Sequence, residues 1–146
     1  MYRFSRAIYR ELVEDIIDGS SPGATGVTNR ERVLRACEAT VERLGRDRYS
    51  FARPARRLIL DIRPYFPLAA QARMRRVVEH YIASADEFLT LQFSTGFDLA
   101  GHPLTCRALT RRSVPCRRVP LAHNGYCPSH QHLADEAEQL VESRAA

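Results

Sequence analysis

Four side chains near the C-terminal end of the chain have the types and the spacing of a metal site. They are Cys106, Cys116, Cys127 and His130, separated by nine, ten and two residues. Three thiolates and one imidazole complete the tetrahedral coordination of Zn²⁺ and leave no position open for a substrate. The sequence therefore predicts a structural zinc site rather than a catalytic one.

Turn-forming residues stand before two of these cysteines. Ser113-Val-Pro115 directly precedes Cys116, and the strong turn pair Asn124-Gly125 comes shortly before Cys127. A segment this short has few apolar side chains, so its folding needs the roughly 10–16 kcal/mol that structural zinc supplies. We therefore expect short loops that wrap around the ion.

The fourth ligand must be chosen between neighbouring histidines. His130 follows Cys127 in a Cys-x-x-His step, and such a short loop lets both side chains reach one ion. His132 lies two residues further along and is the alternative. The step favours His130.

This segment resembles a short motif of small bacterial and phage proteins. The resemblance lies in Cys106-Arg-Ala-Leu-Thr-Arg-Arg-Ser-Val-Pro-Cys116 and in Gly125-Tyr-Cys127-Pro-Ser-His130. The motif is Cys-x-Ala-x-Thr-Arg-x-Gly-x-Pro-Cys followed by Gly-x-Cys-x-x-His, so Ser113 replaces its usual glycine. The match covers residues 106–130 of the 146. It implies a zinc-binding knuckle and carries no activity with it.

The first hundred residues have the apolar periodicity of helices, and no alternating run indicates a sheet. Phe4, Ile8, Leu12 and Ile16 predict a helix over residues 5–17.

A second helix is predicted to begin at a capping box of Thr28 and Glu31 and to end at Gly45. Its apolar stripe consists of Val33, Cys37, Val41 and Leu44.

Prolines mark two further helices. Pro54 opens a short one that Pro64 ends, and Pro67 opens a longer one. A last helix is expected over Leu133–Ser143. The predicted fold class is mainly α: a compact bundle of about four helices, a small Cys3His zinc-binding module and a short C-terminal helix.

The predicted domain organisation follows from these elements. We expect a helical bundle over residues 1–93, a linker over 94–105, the zinc-binding module over 106–132 and an acidic tail over 133–146.

Charge is unevenly distributed along the chain. The net charge is +5, every one of the 22 basic residues is an arginine, and residues 101–130 contain no Asp or Glu. The arginines of this basic stretch are Arg107, Arg111, Arg112, Arg117 and Arg118. They suit the phosphates of a nucleic acid, or alternatively an acidic protein surface. The alternative is that an arginine-biased genome accounts for these residues, which then have no role in binding.

No catalytic constellation accompanies the metal ligands. The motifs yield neither a nucleophile with a base nor a phosphate-binding glycine loop, and Cys37 has the setting of a small buried residue. The absence of a signal-type or membrane-spanning apolar run predicts a cytoplasmic protein. The absence of a catalytic constellation leaves no small-molecule substrate evident. The sequence therefore predicts a non-enzymatic protein that binds a macromolecule, with a protein–protein adaptor as the alternative to nucleic-acid binding.

Overall fold

Four α-helices are the main elements of the computed structural model, which describes residues 1–19 and 26–136. They are α1 (Tyr2–Leu12), α2 (Asn29–Asp47), α3 (Pro54–Ile62) and α4 (Leu68–Phe93). No strand occurs among the described residues, so the predicted mainly α class is confirmed. Residues 132–136 are helical at the start of the expected C-terminal helix, and the rest of that helix lies outside the described residues.

The chain forms two compact units, Met1–Glu87 and Phe88–Ala146. In the first unit α1 packs against α2, and α2 packs against α3. The second unit begins with the last residues of α4 and contains the predicted metal ligands.

Helix α1 is shifted from the range predicted for it. It starts at Tyr2 and ends at Leu12, where a single 3₁₀ turn follows. Ile16 is extended, and the backbone N–H of Ile17 donates to the carbonyl of Tyr65 at 2.9 Å, which takes the chain out of the helix. The apolar side chains are nevertheless placed as expected, since Phe4, Ile8, Leu12 and Ile16 are all buried.

Helix α2 begins at the predicted capping box. The Glu31 amide donates to the Thr28 hydroxyl, and the Thr28 amide donates to the Glu31 carboxylate. The expected end at Gly45 is wrong, because the helix continues to Asp47. A glycine inside a helix costs about 0.5–1 kcal/mol, which is small beside the burial of the adjacent Leu44.

Helices α3 and α4 begin as the prolines indicate. Pro54 occupies the first turn of α3, and Pro64 lies in the 3₁₀ turn that follows that helix. Helix α4 starts directly after Pro67. The Tyr81 hydroxyl donates to the Glu11 carboxylate, which joins α4 to α1.

A partly buried ion pair connects the residue after α2 with α4. The Arg48 guanidinium donates to both carboxylate oxygens of Asp86, at 2.8 and 3.0 Å. Cys37 is fully buried in α2, as predicted, and burial raises the pKa of its thiol to about 12. A thiol with so high a pKa is almost wholly protonated at neutral pH and has the character of a core residue.

The segment predicted as a linker is internally hydrogen bonded. The Asp98 carboxylate accepts from the amides of Ala100 and His102, each at 2.8 Å, and these bonds, His102 first, lower the pKa of Asp98. The Leu104 amide donates to the Gly96 carbonyl at 2.8 Å, and Gly96 has a positive φ of 84°. Residues 94–105 therefore form an ordered turn.

Among the described helices, none is both long enough and apolar enough to span a lipid bilayer.

Candidate metal centre

The side chains of Cys106, Cys116, Cys127 and His130 meet at one point. Their donor atoms all lie within 4.8 Å of one another. The His130 Nδ1 atom lies 3.5 Å from the Cys106 sulfur and 3.4 Å from the Cys127 sulfur. Zinc bonds of about 2.3 Å to sulfur and about 2.0 Å to nitrogen, at tetrahedral angles, separate the two donors by about 3.5 Å. The group is therefore close enough to hold a metal ion, and these two separations are those of tetrahedral coordination.

His130 is the histidine that joins the group. Residues Pro128–His130 form a 3₁₀ turn in which the His130 amide donates to the Cys127 carbonyl at 2.8 Å. This turn brings the imidazole back beside the Cys127 sulfur. His132 is exposed and lies outside the group, with its ring centroid 6.4 Å from that of His130.

The loop before Cys116 is a tight hairpin. The Cys116 amide donates to the Ala108 carbonyl at 2.9 Å, and Leu109 pairs with Pro115 in an isolated antiparallel bridge. At its tip the Thr110 amide donates to the Val114 carbonyl at 2.8 Å. The hairpin carries Cys116 back beside the strand-like backbone of Ala108, where its thiol faces the group.

The loop before Cys127 is closed by the predicted turn pair. The Tyr126 amide donates to the Asn124 side chain at 3.0 Å, and Gly125 has a φ of 75° that only glycine adopts readily. The amide of Arg107 donates to the Gly125 carbonyl at 3.1 Å. This bond fixes the turn next to the first ligand, Cys106.

The apolar interior around the site consists largely of the ligands themselves. Cys106, Ala108, Cys116 and Cys127 form one buried cluster, and Tyr126 and Leu133 pack against it while remaining partly exposed. So small a core does not stabilise a fold alone, and a metal ion held by the four side chains would supply the missing stabilisation.

Hydrogen bonds favour ionisation of one thiol. Burial opposes it, but bonds from the Cys106 thiol and the amide of Ser129 lower the pKa of Cys127 below its usual value. The pKa of Cys106 is raised, mainly by burial, although its sulfur accepts from the Cys127 amide at 3.3 Å. Thiolates are the form that binds metal, and amide donors of this kind stabilise them.

The five arginines predicted to contact a partner are all exposed. Arg111, Arg112 and Arg118 line one surface depression of about 560 Å³ next to the metal ligands. Arg107 lies elsewhere, with its guanidinium 5.5 Å from the centre of the Tyr126 ring. Arg117 does not line this depression.

Sequence reasoning missed the hydroxyl groups of the same depression. Thr110 and Ser129 line it together with His130, and the Arg118 guanidinium donates to the Ser129 hydroxyl at 2.6 Å. The sequence feature that could have indicated Ser129 is its position inside the Cys-x-x-His step, because any residue there is held beside the predicted metal ligands. We call this site the basic depression; it is lined by Thr110, Arg111, Arg112, Cys116, Arg118, Ser129 and His130.

Ser113 occupies a position that favours glycine. Its φ is 58°, in the left-handed region, at the tip of the hairpin before Cys116. A left-handed conformation costs a residue with a side chain about 1–2 kcal/mol. Glycine avoids this cost but loses more conformational freedom on folding, so its net advantage is smaller.

Replacing Ser113 by Gly should therefore tighten metal binding by about two- to fivefold, since a gain of roughly 0.5–1 kcal/mol in loop stability appears in the affinity. The measurement is competition for Zn²⁺ between the protein and a chromophoric chelator. Ser113→Ala is the control, because alanine keeps the strained φ. Equal affinities for the glycine and alanine variants would refute the role of this φ.

Comparison with protein-family models, with curated proteins and with solved structures finds no match to this chain.

Proposed function

We propose that the protein binds Zn²⁺ through Cys106, Cys116, Cys127 and His130 and uses the zinc-stiffened segment to bind nucleic acid. Soft thiolates with one imidazole select Zn²⁺ over hard cations, and four protein ligands leave no site for catalysis. The protein is then a non-enzymatic regulatory or accessory factor. Four free cysteines, zinc-bound or buried, suit the reducing conditions of the cytoplasm.

One observation carries the nucleic-acid proposal. Arg111, Arg112 and Arg118 come from two different loops and line one depression, and residues 101–130 contain no Asp or Glu. A rigid concentration of guanidinium groups without carboxylates attracts phosphates and releases their counterions.

The test is fluorescence anisotropy with labelled duplex DNA, single-stranded DNA and RNA, using the zinc-loaded full-length protein. If three to five arginines neutralise phosphates, affinity should fall about 40- to 500-fold between roughly 50 and 200 mM salt. A variant with all five arginines of the basic stretch changed to Ser should lose this binding. Absence of binding to all three nucleic acids at the lower salt concentration would refute the proposal.

A second candidate is a protein–protein adaptor that docks on an acidic protein surface. It is favoured by large apolar side chains exposed on the same segment: Leu109 at 61%, Val114 at 51% and Val119 at 63%. Arginine mixed with exposed apolar side chains is typical of protein interfaces. In this case the zinc is purely structural, and the five-arginine variant weakens binding to a protein.

A further inference from the structure

The basic depression has the chemistry of a site for one phosphate group. It is lined by Arg111, Arg112 and Arg118, which carry guanidinium groups, and by Thr110 and Ser129, which carry hydroxyls. Guanidinium groups donate in a planar fork that matches the oxygens of phosphate, and hydroxyls donate to the oxygens that remain. Cys116 and His130, which also line the depression, belong to the metal-ligand group, and no carboxylate lines it. An anion is therefore the ligand that fits the arginine-lined part of this surface.

The depression is built by the metal-binding loops rather than by one stretch of sequence. Thr110 and its two neighbouring arginines lie on the hairpin before Cys116. Arg118 is fixed through its carbonyl, which accepts from the Cys106 amide at 2.9 Å. Ser129 lies between the ligands Cys127 and His130. Donors from three stretches are therefore held together by the same folding that gathers the metal ligands.

One arginine of the depression is already oriented. The bond between Arg118 and the Ser129 hydroxyl holds the guanidinium at the site before a ligand arrives. Holding a donor in place reduces the conformational entropy lost on binding. The remaining guanidinium N–H groups of Arg118 are left for an anion, because one such bond uses one of five donors.

From this arrangement we propose that the basic depression binds a single phosphate group of a nucleic acid, with Arg118 as its central contact. This rests on the proposed function and makes it specific. It separates the arginines of the basic stretch into two classes: Arg111, Arg112 and Arg118 hold the phosphate, whereas Arg107 and Arg117 contribute only general attraction.

The experiment is a titration of the zinc-loaded, ¹⁵N-labelled full-length protein with inorganic phosphate, followed by NMR at constant ionic strength. The resonances of Thr110, Arg118 and Ser129 should shift together and saturate. Arg118→Ser should weaken the fitted affinity by about tenfold or more, the effect of losing a charge-assisted contact, and Arg117→Ser should change it by less than about twofold. Arg117→Ser is a matched control because the two residues are adjacent in sequence and both exposed.

A second variant distinguishes the loss of a phosphate contact from a local folding defect. Arg111→Ser/Arg112→Ser changes two exposed side chains of the hairpin and should also weaken phosphate binding by about tenfold or more, with zinc content unchanged. The phosphate site would be overturned if other resonances shifted and saturated while those of Thr110, Arg118 and Ser129 did not shift. Equal weakening of phosphate binding by Arg117→Ser and Arg118→Ser would also overturn it.

Oligonucleotides distinguish the source of the phosphate and separate this inference from the proposed function. A 5′-phosphorylated strand that binds more tightly than its 5′-hydroxyl counterpart, with the difference abolished by Arg118→Ser, assigns the depression to a terminal phosphate. Equal binding of the two strands, weakened by Arg118→Ser and unchanged by Arg117→Ser, assigns it to an internal one. Nucleic-acid binding that both variants weaken equally removes the depression while the proposed function stands. Binding of inorganic phosphate without binding of any nucleic acid would leave the depression as a phosphate site, but it would overturn the proposed function and the assignment of that phosphate to a nucleic acid.

Discussion

Replacing Cys116 by Ser is expected to release the metal ion and unfold the loops of residues 106–130, while most of the helical signal remains. The thiolate is one of four ligands, and a serine hydroxyl does not replace it at neutral pH. The roughly 10–16 kcal/mol of a structural zinc site far exceeds what the small cluster around Ala108 supplies. Zinc per protein, measured by mass spectrometry, should fall from about one to near zero. Circular dichroism should retain the signal of α1–α4.

A matched pair of histidine variants controls this result. His130→Ala should also release the metal, whereas His132→Ala should retain it, because His132 lies outside the ligand group. Retention of zinc by Cys116→Ser would contradict the ligand assignment. Collapse of the whole helical signal would contradict the expectation that the helices fold without the loops of residues 106–130.

Replacing Leu58 by Ala is expected to lower the free energy of unfolding of the helical unit by about 2–5 kcal/mol. Leu58 lies on α3 and is fully buried, with none of its surface exposed. Alanine removes its buried methyl groups and leaves a cavity that the helices fill only partly. The measurement is urea unfolding of the zinc-loaded protein, followed by circular dichroism at 222 nm.

Leu60 provides the comparison on the same helix. It is 54% exposed, so Leu60→Ala should change the free energy of unfolding by no more than about 0.5 kcal/mol. Zinc content should stay the same in both variants. A similar loss of stability in the two would mean that the two faces of α3 differ less in packing than their exposure indicates.

Local signals in the sequence were sufficient for the starts of most helices. The Thr28–Glu31 capping box and Pro54 each fix backbone groups within one turn, and their effect does not depend on distant parts of the chain. The grouping of Cys106, Cys116, Cys127 and His130 could also be predicted from the sequence, because a Cys-x-x-His step and two turns limit where the side chains point. These features are short-range, and short-range features can be read from sequence.

The features that escaped prediction depend on contacts between distant residues. Gly45 has the local character of a helix end, yet α2 continues past it to Asp47, and the side chain of the next residue, Arg48, pairs with Asp86 of α4. The basic depression likewise requires Ser129 to lie beside Arg118, eleven positions earlier. No periodicity or turn signal reports such a juxtaposition, because it arises only once the loops have closed.

The composition of the cluster around the candidate metal site has a consequence for how this segment tolerates sequence change. Its interior is made of three ligand cysteines and Ala108, so few other side chains are needed inside. Leu109, Val114 and Val119 are exposed, and backbone hydrogen bonds hold the loops that carry them. Substitutions on these loops therefore cost little stability as long as the ligands and the turn residues remain. Such a scaffold can acquire a new binding preference by surface mutation without repacking a core.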